Sequence, residues 1–294
     1  MAVYEARSVL TGIRAREVMR RDVCRVSADS DLGACIHQMT RTRASALVLD
    51  TPGRKACGVI SRTDMVTAFY AGLDCRSPAD QIMQPPVTCP GDLFLEDVLG
   101  LMKEKQIHRV YVAEMDSDIS GVLAFSDIVG IVYRYCRDCE RGGRKPERLR
   151  EKSIPRLTVA DVMTRGLVSA RPSETVSGII ETLTVNGVGS VLICEQDNDP
   201  LGCISRTDLT LAYVRGKTLD FPAGSIMHRP VISCSPDLLL VEAIQQMLAL
   251  DLPRLFVQQA PDRQVRGVLS LSDAARFRSG TCRACTASRI MAGS

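Results

Sequence analysis

The chain has 294 residues, a net charge of +3, 45% hydrophobic and 24% charged residues, and 12 cysteines. That length accommodates two domains with substantial cores, and the composition is ordinary for a water-soluble globular protein. No apolar run approaches the roughly 18 residues of a membrane span, and so small a net charge gives no footing to a nucleic-acid partner by itself.

In chain order, Met1 to Arg16 carries basic residues but no apolar signal core, so no secretion is read and a cytoplasmic location is expected. A first repeat is expected over about 13–73, with a helix at Asp31–Met39, a strand at Ala46–Asp50, a strand at Val59-Ile60 and a helix at Met65–Ala71. A second follows over about 78–135, with a helix at Phe94–Lys103, a strand at Val110–Ala113 and a helix from Phe125 through Ile128, Ile131 and Val132. Residues 137–156 form a basic linker containing Gly142-Gly143 and Lys145-Pro146. It reads as a solvated tether, since no aromatic residues interleave its charges to stack on bases. The third repeat, about 157–219, has a helix at Thr175–Thr184 and a strand at Ser190–Cys194. The fourth, about 221–280, has a helix at Leu240–Leu250, a strand at Leu255–Gln258 and a helix at Ser272–Arg278, before a tail at 281–294.

These segments are organised around one motif. Gly202-Cys203-Ile204-Ser205-Arg206-Thr207-Asp208 repeats Gly58-Val59-Ile60-Ser61-Arg62-Thr63-Asp64, 144 residues earlier. Two looser copies are Gly121 to Asp127, where Ala124 replaces the hydroxyl residue, and Gly267 to Asp273, which keeps Ser270. Each repeat opens on a short hook ending in methionine, at Met19, Met83, Met163 and Met227. The hooks lie 64 residues apart within each half of the chain and 80 apart between halves, so the four repeats pair in twos. Ser-x-x-Asp at a helix start is accounted for by a capping box alone. A strand running straight into a helix also presents N–H groups suited to an anion, and a carboxylate there suits sugar hydroxyls.

Four copies of Gly-apolar-apolar-Ser/Thr-x-x-Asp, with four hooks in register, resemble the CBS (cystathionine β-synthase) domain family over nearly the whole chain. The resemblance implies an α/β (α+β) fold in which four CBS repeats form two Bateman modules, each a pair of small sheets flanked by helices. The first pair is expected within 1–136 and the second within 157–280. It further implies clefts that bind AMP, ADP, ATP or S-adenosylmethionine, with the motif aspartate on the ribose and the upstream hydroxyl near phosphate. Carried over residue by residue, the sites are Ser61, Arg62 and Asp64; Ser205, Arg206 and Asp208; Ser270 and Asp273; and Asp127, which lacks its hydroxyl partner. His108-Arg109 before Val110 resembles the His-Arg pair that contacts phosphate in the γ subunit of AMP-activated protein kinase, and Arg254 stands at the matching position of the fourth repeat.

Two C-x-x-C pairs, Cys136/Cys139 and Cys282/Cys285, each begin nine residues after a motif aspartate. Four thiolates at that spacing suit zinc or an iron–sulfur cluster, provided the modules meet with like ends together. Separate dithiols are the other reading. The cysteines inside expected elements, Cys35, Cys57, Cys194 and Cys203, read as buried thiols in a reducing compartment. With three histidines and no catalytic grouping or Walker loop, the expectation is a non-enzymatic regulator that senses an adenosyl ligand and signals to a separate protein. The alternatives are a metal- or redox-responsive protein and a nucleic-acid-associated one. A disc within one chain and a homodimer both remain open.

Overall fold

The computed structural model describes residues 10–53, 55–114, 118–140, 157–195, 199–259 and 264–276, with the side chains of 135–140 and 276 left outside the description. One helical stripe recurs in every repeat. In α2 (Leu32–Arg41; a short α1, Ala15–Val18, precedes it) the buried residues include Leu32, Cys35, Ile36 and Met39. The same spacing buries Leu95, Val98, Leu99 and Met102 in α4 (Leu95–Glu104) and Val176, Ile179, Ile180 and Leu183 in α7 (Val176–Val185). In α9 (Leu240–Ala249) it buries Leu240, Ala243, Ile244 and Met247. Apolar residues at i, i+3, i+4 and i+7 make one face that must pack on a sheet.

The first repeat's sheet joins β1 (Arg25–Ser27), β2 (Ala46–Asp50) and β3 (Ala56–Ser61), with β1 and β2 parallel and β2 and β3 antiparallel. The second repeats this with β4 (Thr88–Cys89), β5 (Arg109–Val112) and β6 (Gly121–Ala124). The third uses β8 (Ser169–Ala170), β9 (Ser190–Cys194) and β10 (Pro200–Ser205), after a two-residue β7 (Thr164–Arg165) in its hook. The fourth uses β11 (Ser233–Cys234), β12 (Arg254–Gln258) and β13 (Val265–Ser270). Four consecutive residues of β2, Ala46 to Leu49, are buried, because helices cover one face of the sheet and the sister repeat's sheet covers the other. The short leading strands β1, β4, β8 and β11 go beyond the helix–strand–strand–helix order expected for each repeat. Two or three residues carry no periodicity to read.

Each last strand enters a helix with no intervening loop: α3 (Arg62–Tyr70), α5 (Phe125–Glu140), α8 (Arg206–Val214) and α10 (Leu271–Arg276). Helix α5 continues to Glu140, past the expected end of the second repeat at Tyr135.

The hooks explain the motif glycines. Each hook crosses to the sister repeat and lays its methionine on that repeat's glycine. A Cβ on Gly58 would lie 2.5 Å from Met83 Sδ, one on Gly121 2.5 Å from Met19 Sδ, one on Gly202 2.9 Å from Met227 Sδ and one on Gly267 3.1 Å from Met163 Sδ. Only glycine admits so close an approach. The residue after each methionine then pairs with the strand: Arg20 with Val122, Gln84 with Val59, Thr164 with Val268 and His228 with Cys203. Neither repeat of a pair is complete without the other.

The two modules meet through helices, like end to like end, within the single chain. Helix α3 packs on α8, and α5 packs on α9 and α10. One core joins the first and third repeats, with Ile36, Leu47 and Phe69 alongside Ile179, Ile193 and Tyr213. Another joins the second and fourth, with Val98, Met102 and Ile128 alongside Ile244, Leu255 and Leu269. Phe69 and Tyr213, at matching positions of α3 and α8, stack with ring centroids 4.8 Å apart. The Tyr213 hydroxyl donates to the Leu73 carbonyl at 2.7 Å, and the Tyr70 hydroxyl to Glu181 at 2.6 Å.

Candidate functional site

The four strand–helix turns are variations on one geometry. At the start of α3, Ser61 is extended (φ −115°, ψ 168°) and caps the helix. Asp64 Oδ2 accepts from the Ser61 N–H at 2.7 Å and from its hydroxyl at 2.6 Å. At α8, Asp208 Oδ2 accepts from the Ser205 N–H at 2.7 Å and its hydroxyl at 2.6 Å. At α10, Asp273 Oδ2 accepts from the Ser270 N–H at 2.9 Å and its hydroxyl at 2.6 Å. At α5, where alanine stands in for serine, Asp127 Oδ2 keeps only the Ala124 N–H, at 2.8 Å, from this set. The capping box is therefore made in three of the four. It uses one carboxylate oxygen, and in Asp64, Asp208 and Asp273 the other oxygen has no hydrogen-bond partner among the described residues.

Two of the aspartates have a further partner, supplied by the hook. Arg20 Nε lies 3.0 Å from Asp127 Oδ1 and 3.2 Å from Oδ2. His228 Nδ1 lies 3.0 Å from Asp208 Oδ2, and its Nε2 lies 3.0 Å from Cys203 Sγ. Both carboxylates are largely buried, at 12% and 13% side-chain exposure, whereas Arg20 and His228 are about half exposed. Hydrogen bonds donated to Asp208 and Cys203 push the His228 pKa up to about 10, so the imidazole is cationic at neutral pH. Burial raises the Asp127 pKa despite Arg20. Sequence reasoning missed Arg20 and His228. The signal lay one residue beyond each hook methionine, where Arg20, Gln84, Thr164 and His228 stand.

Beside the aspartates sit two pairs of half-buried arginines. Arg62 and Arg109 belong to the first module, and Arg206 and Arg254 to the second. Burial lowers the pKa of Arg62, and neighbouring Arg109 lowers it further. Burial lowers that of Arg254 to about 10, with Arg206 contributing in the same direction. Arg109 donates to the Ser45 hydroxyl, and Arg254 to the buried Ser190 hydroxyl at 3.0 Å. The Arg254 guanidinium lies over Gly189, where a Cβ would collide with it. Among the described residues none of the four guanidiniums is salt-bridged to a carboxylate. A guanidinium taken from water against neutral hydroxyls and a second guanidinium is a receptor for an anion with several oxygens. A cavity of about 250 Å3 opens between the modules next to Arg206, lined also by Thr63 and Thr67 of α3 and Ile180 and Thr184 of α7.

The residues nominated from sequence gather mostly within modules, while Arg62 also senses the charges of Asp208 and Asp251 in the second module. Arg109 senses the charge of Asp64, and Arg254 that of Asp273. His108 is exposed and sets its ring edge-on to Phe125, with centroids 5.7 Å apart. Cys203, expected to be an inert buried thiol, is buried but bonded to His228. Cys35 and Cys194 are buried, and Cys57 is half-buried. Cys136 and Cys139 lie on α5 with undescribed side chains, and Cys282 and Cys285 fall outside the described residues. Among the described residues no cluster of three or more His, Cys, Asp or Glu is placed to hold a metal, and no helix is long and apolar enough to cross a membrane.

Comparison with known proteins adds the following. The family model for the CBS domain matches residues 15–71, 79–134, 159–215 and 223–280. The chain is 29% identical over 119 residues to the uncharacterized protein MK0525 of Methanopyrus kandleri, a match covering 40% of this chain and 60% of that protein, so it spans less than two thirds of that relative. It is 24% identical over 149 residues to the uncharacterized protein MJ1426 of Methanocaldococcus jannaschii, covering 45% of this chain and 89% of that one. Among solved structures it is similar to MJ1225 of Methanocaldococcus jannaschii, described as a candidate archaeal homolog of g-AMPK. That similarity has a TM-score of 0.74 at 15% identity, over 90% of this chain and 99% of that one.

Proposed function

The chain belongs to the CBS domain family, and from that membership we propose that it is a non-enzymatic regulator whose clefts bind an adenine nucleotide and pass its presence to a separate protein. The observation that carries this reading is the pair of arginine couples, Arg62 with Arg109 and Arg206 with Arg254, set near motif aspartates but salt-bridged to no carboxylate among the described residues. An aspartate with a free oxygen suits a ribose diol, and the guanidiniums suit a phosphate. The same guanidiniums disfavour S-adenosylmethionine, whose sulfonium would add a positive charge to a site already rich in them. AMP, ADP and ATP are therefore the expected ligands.

The route to a signal runs along α3 and α8. Each helix carries the motif aspartate in its first turn and the Phe69–Tyr213 stack near its other end. A ligand that favours one setting of the first turn biases the contact between modules, to the extent that it binds the two settings unequally.

Titration calorimetry of the full chain with AMP, ADP, ATP, adenosine and S-adenosylmethionine tests this. At least one nucleotide should bind at micromolar strength, about −8 kcal/mol. Adenosine should bind at least tenfold more weakly, because a charge-assisted hydrogen bond to phosphate contributes about 1.5–3 kcal/mol. Arg109→Met should remove most of that difference in the first module. Equal affinity for adenosine and AMP, or binding of none of the five, would overturn the reading.

A further inference from the structure

The four clefts differ in a way that the Gly-to-Asp motif does not show. The hook of each repeat delivers the residue after its methionine to the sister repeat's strand, one position beyond the motif glycine. That residue is Gln84 for the strand leading to Asp64, Arg20 for Asp127, His228 for Asp208 and Thr164 for Asp273. Two of these are neutral and two are cationic, and the two cationic ones are bonded to the aspartate they meet.

We propose that the residue after each hook methionine decides whether its cleft can take a nucleoside: Arg20 and His228 occupy the Asp127 and Asp208 clefts as built-in cations, leaving the Asp64 and Asp273 clefts for ligand. The inference rests on the nucleotide-binding reading above and adds which sites are used.

Hydrogen-bond capacity supports it. A ribose diol donates two hydroxyls, so it needs carboxylate lone pairs that nothing else has claimed. Arg20 reaches both oxygens of Asp127, and Oδ2 also holds the Ala124 N–H. Asp208 Oδ2 accepts three donors, two from Ser205 and one from His228, and although Oδ1 has no partner among the described residues, the imidazole itself stands against the carboxylate where a sugar would have to come. The imidazole is held from its far side as well. Protonated, it donates Nδ1–H to Asp208 and Nε2–H to the Cys203 sulfur, which is buried in β10. Rotating the ring aside to admit a sugar would break both contacts at once. Asp64 and Asp273 carry no such load. Among the described residues their donors all come from Ser61 and Ser270 on Oδ2, and neither Gln84 nor Thr164 bonds to them.

The test is the number of AMP molecules bound per chain, read by calorimetry on the full chain and its hook-residue swaps. Wild type should bind two. His228→Gln, which copies the Asp64 cleft, and Arg20→Thr, which copies the Asp273 cleft, should each bind three, and the double variant four. The reverse swap, Gln84→Arg, should reduce two to one, giving a reading that does not depend on removing a stabilising pair. Thermal midpoints within a few degrees of wild type establish that each variant is folded. A wild-type count of three or four would overturn the proposal, as would swaps that leave the count at two or weaken AMP binding as a lost contact would. Those outcomes leave the nucleotide reading standing. Absence of AMP binding by wild type and every swap would remove both.

Discussion

Replacing the motif glycines by alanine should destabilise the protein unequally, in an order set by what each new Cβ meets. At Gly58 the three atoms nearest the Cβ would all belong to the Met83 side chain, with Sδ at 2.5 Å, Cγ at 2.9 Å and Cβ at 3.1 Å. A methionine has three rotatable bonds and can repack. At Gly267 the first atom met is the Thr164 carbonyl oxygen, at 2.6 Å, with Met163 Sδ further off at 3.1 Å. That oxygen belongs to β7, which is paired with β13 at this point through Gly267–Arg165 and Val268–Thr164. Relief there requires the strands to separate. Overpacking costs about 1–3 kcal/mol, while losing a glycine from the unfolded chain returns about 0.4–1 kcal/mol. Gly58→Ala should therefore fall near the low end, about 0–1 kcal/mol net, and Gly267→Ala near 2 kcal/mol. At about 2 °C per kcal/mol for a chain of this size, scanning calorimetry should show midpoint losses of about 0–2 °C and about 4 °C. Gly202→Ala, meeting the His228 carbonyl oxygen at 2.8 Å, belongs with Gly267→Ala. A larger loss for Gly58→Ala than for Gly267→Ala would refute the account of why these positions are glycine.

Further outcomes follow from single residues. Hydrogen bonding raises the folded pKa of His228 to about 10 from an ordinary 6.5. The folded state therefore holds a proton that the unfolded state has released between those values, and the pair's stabilisation is full below about pH 6.5 and lost as pH rises toward 10. Denaturation midpoints from pH 6.5 to 9.5 should decline more steeply for wild type than for His228→Gln, and parallel slopes would exclude the charged pair. Two residues past the ends of α2, α4 and α9 stands a non-glycine residue at positive φ, Arg43 (53°), Gln106 (54°) and Asp251 (53°), while α7 is followed there by Gly187 at 61°. Gln106→Gly should raise stability by about 0.5–1 kcal/mol, measurable by urea titration, because glycine takes that conformation without strain.

Much of the fold is legible in the sequence because the repeat shows each element four times. The stripe Leu32, Cys35, Ile36, Met39 recurs in α4, α7 and α9, and a strand such as Ser190–Cys194 keeps its predicted ends. What stayed hidden depends on residues meeting across repeats. The recurrence of Met19 and Gly121 is visible in the sequence, but not that one lies on the other, because contacts about a hundred residues apart leave no local periodicity. Arg20 and His228 escaped because their partners, Asp127 and Asp208, arrive from the sister repeat rather than from their own sequence neighbourhood. The arginines were legible as residue types. Their lack of carboxylate partners, which gives them meaning, required coordinates.

In three of the four motifs the aspartate can serve two purposes. One oxygen closes the capping box and holds the first turn of the helix to the strand that feeds it, a local interaction of about 1 kcal/mol. The other is left for a ligand, and the residue that the sister repeat's hook brings meets the carboxylate beside it: His228 bonds Asp208 on the capping oxygen itself, and Arg20 reaches both oxygens of Asp127. Because the hook that brings it also seats a methionine on the motif glycine, the position of the cation or neutral residue at each cleft is fixed by the packing that joins the two repeats. A nucleotide entering the Asp64 cleft must therefore press against the hook at Gln84, against Arg109 from the sister repeat and against the first turn of α3 together. The far end of α3 is stacked on α8 of the other module. Binding energy applied there has no purely local outlet, which is the physical requirement for a ligand to alter how the two modules meet.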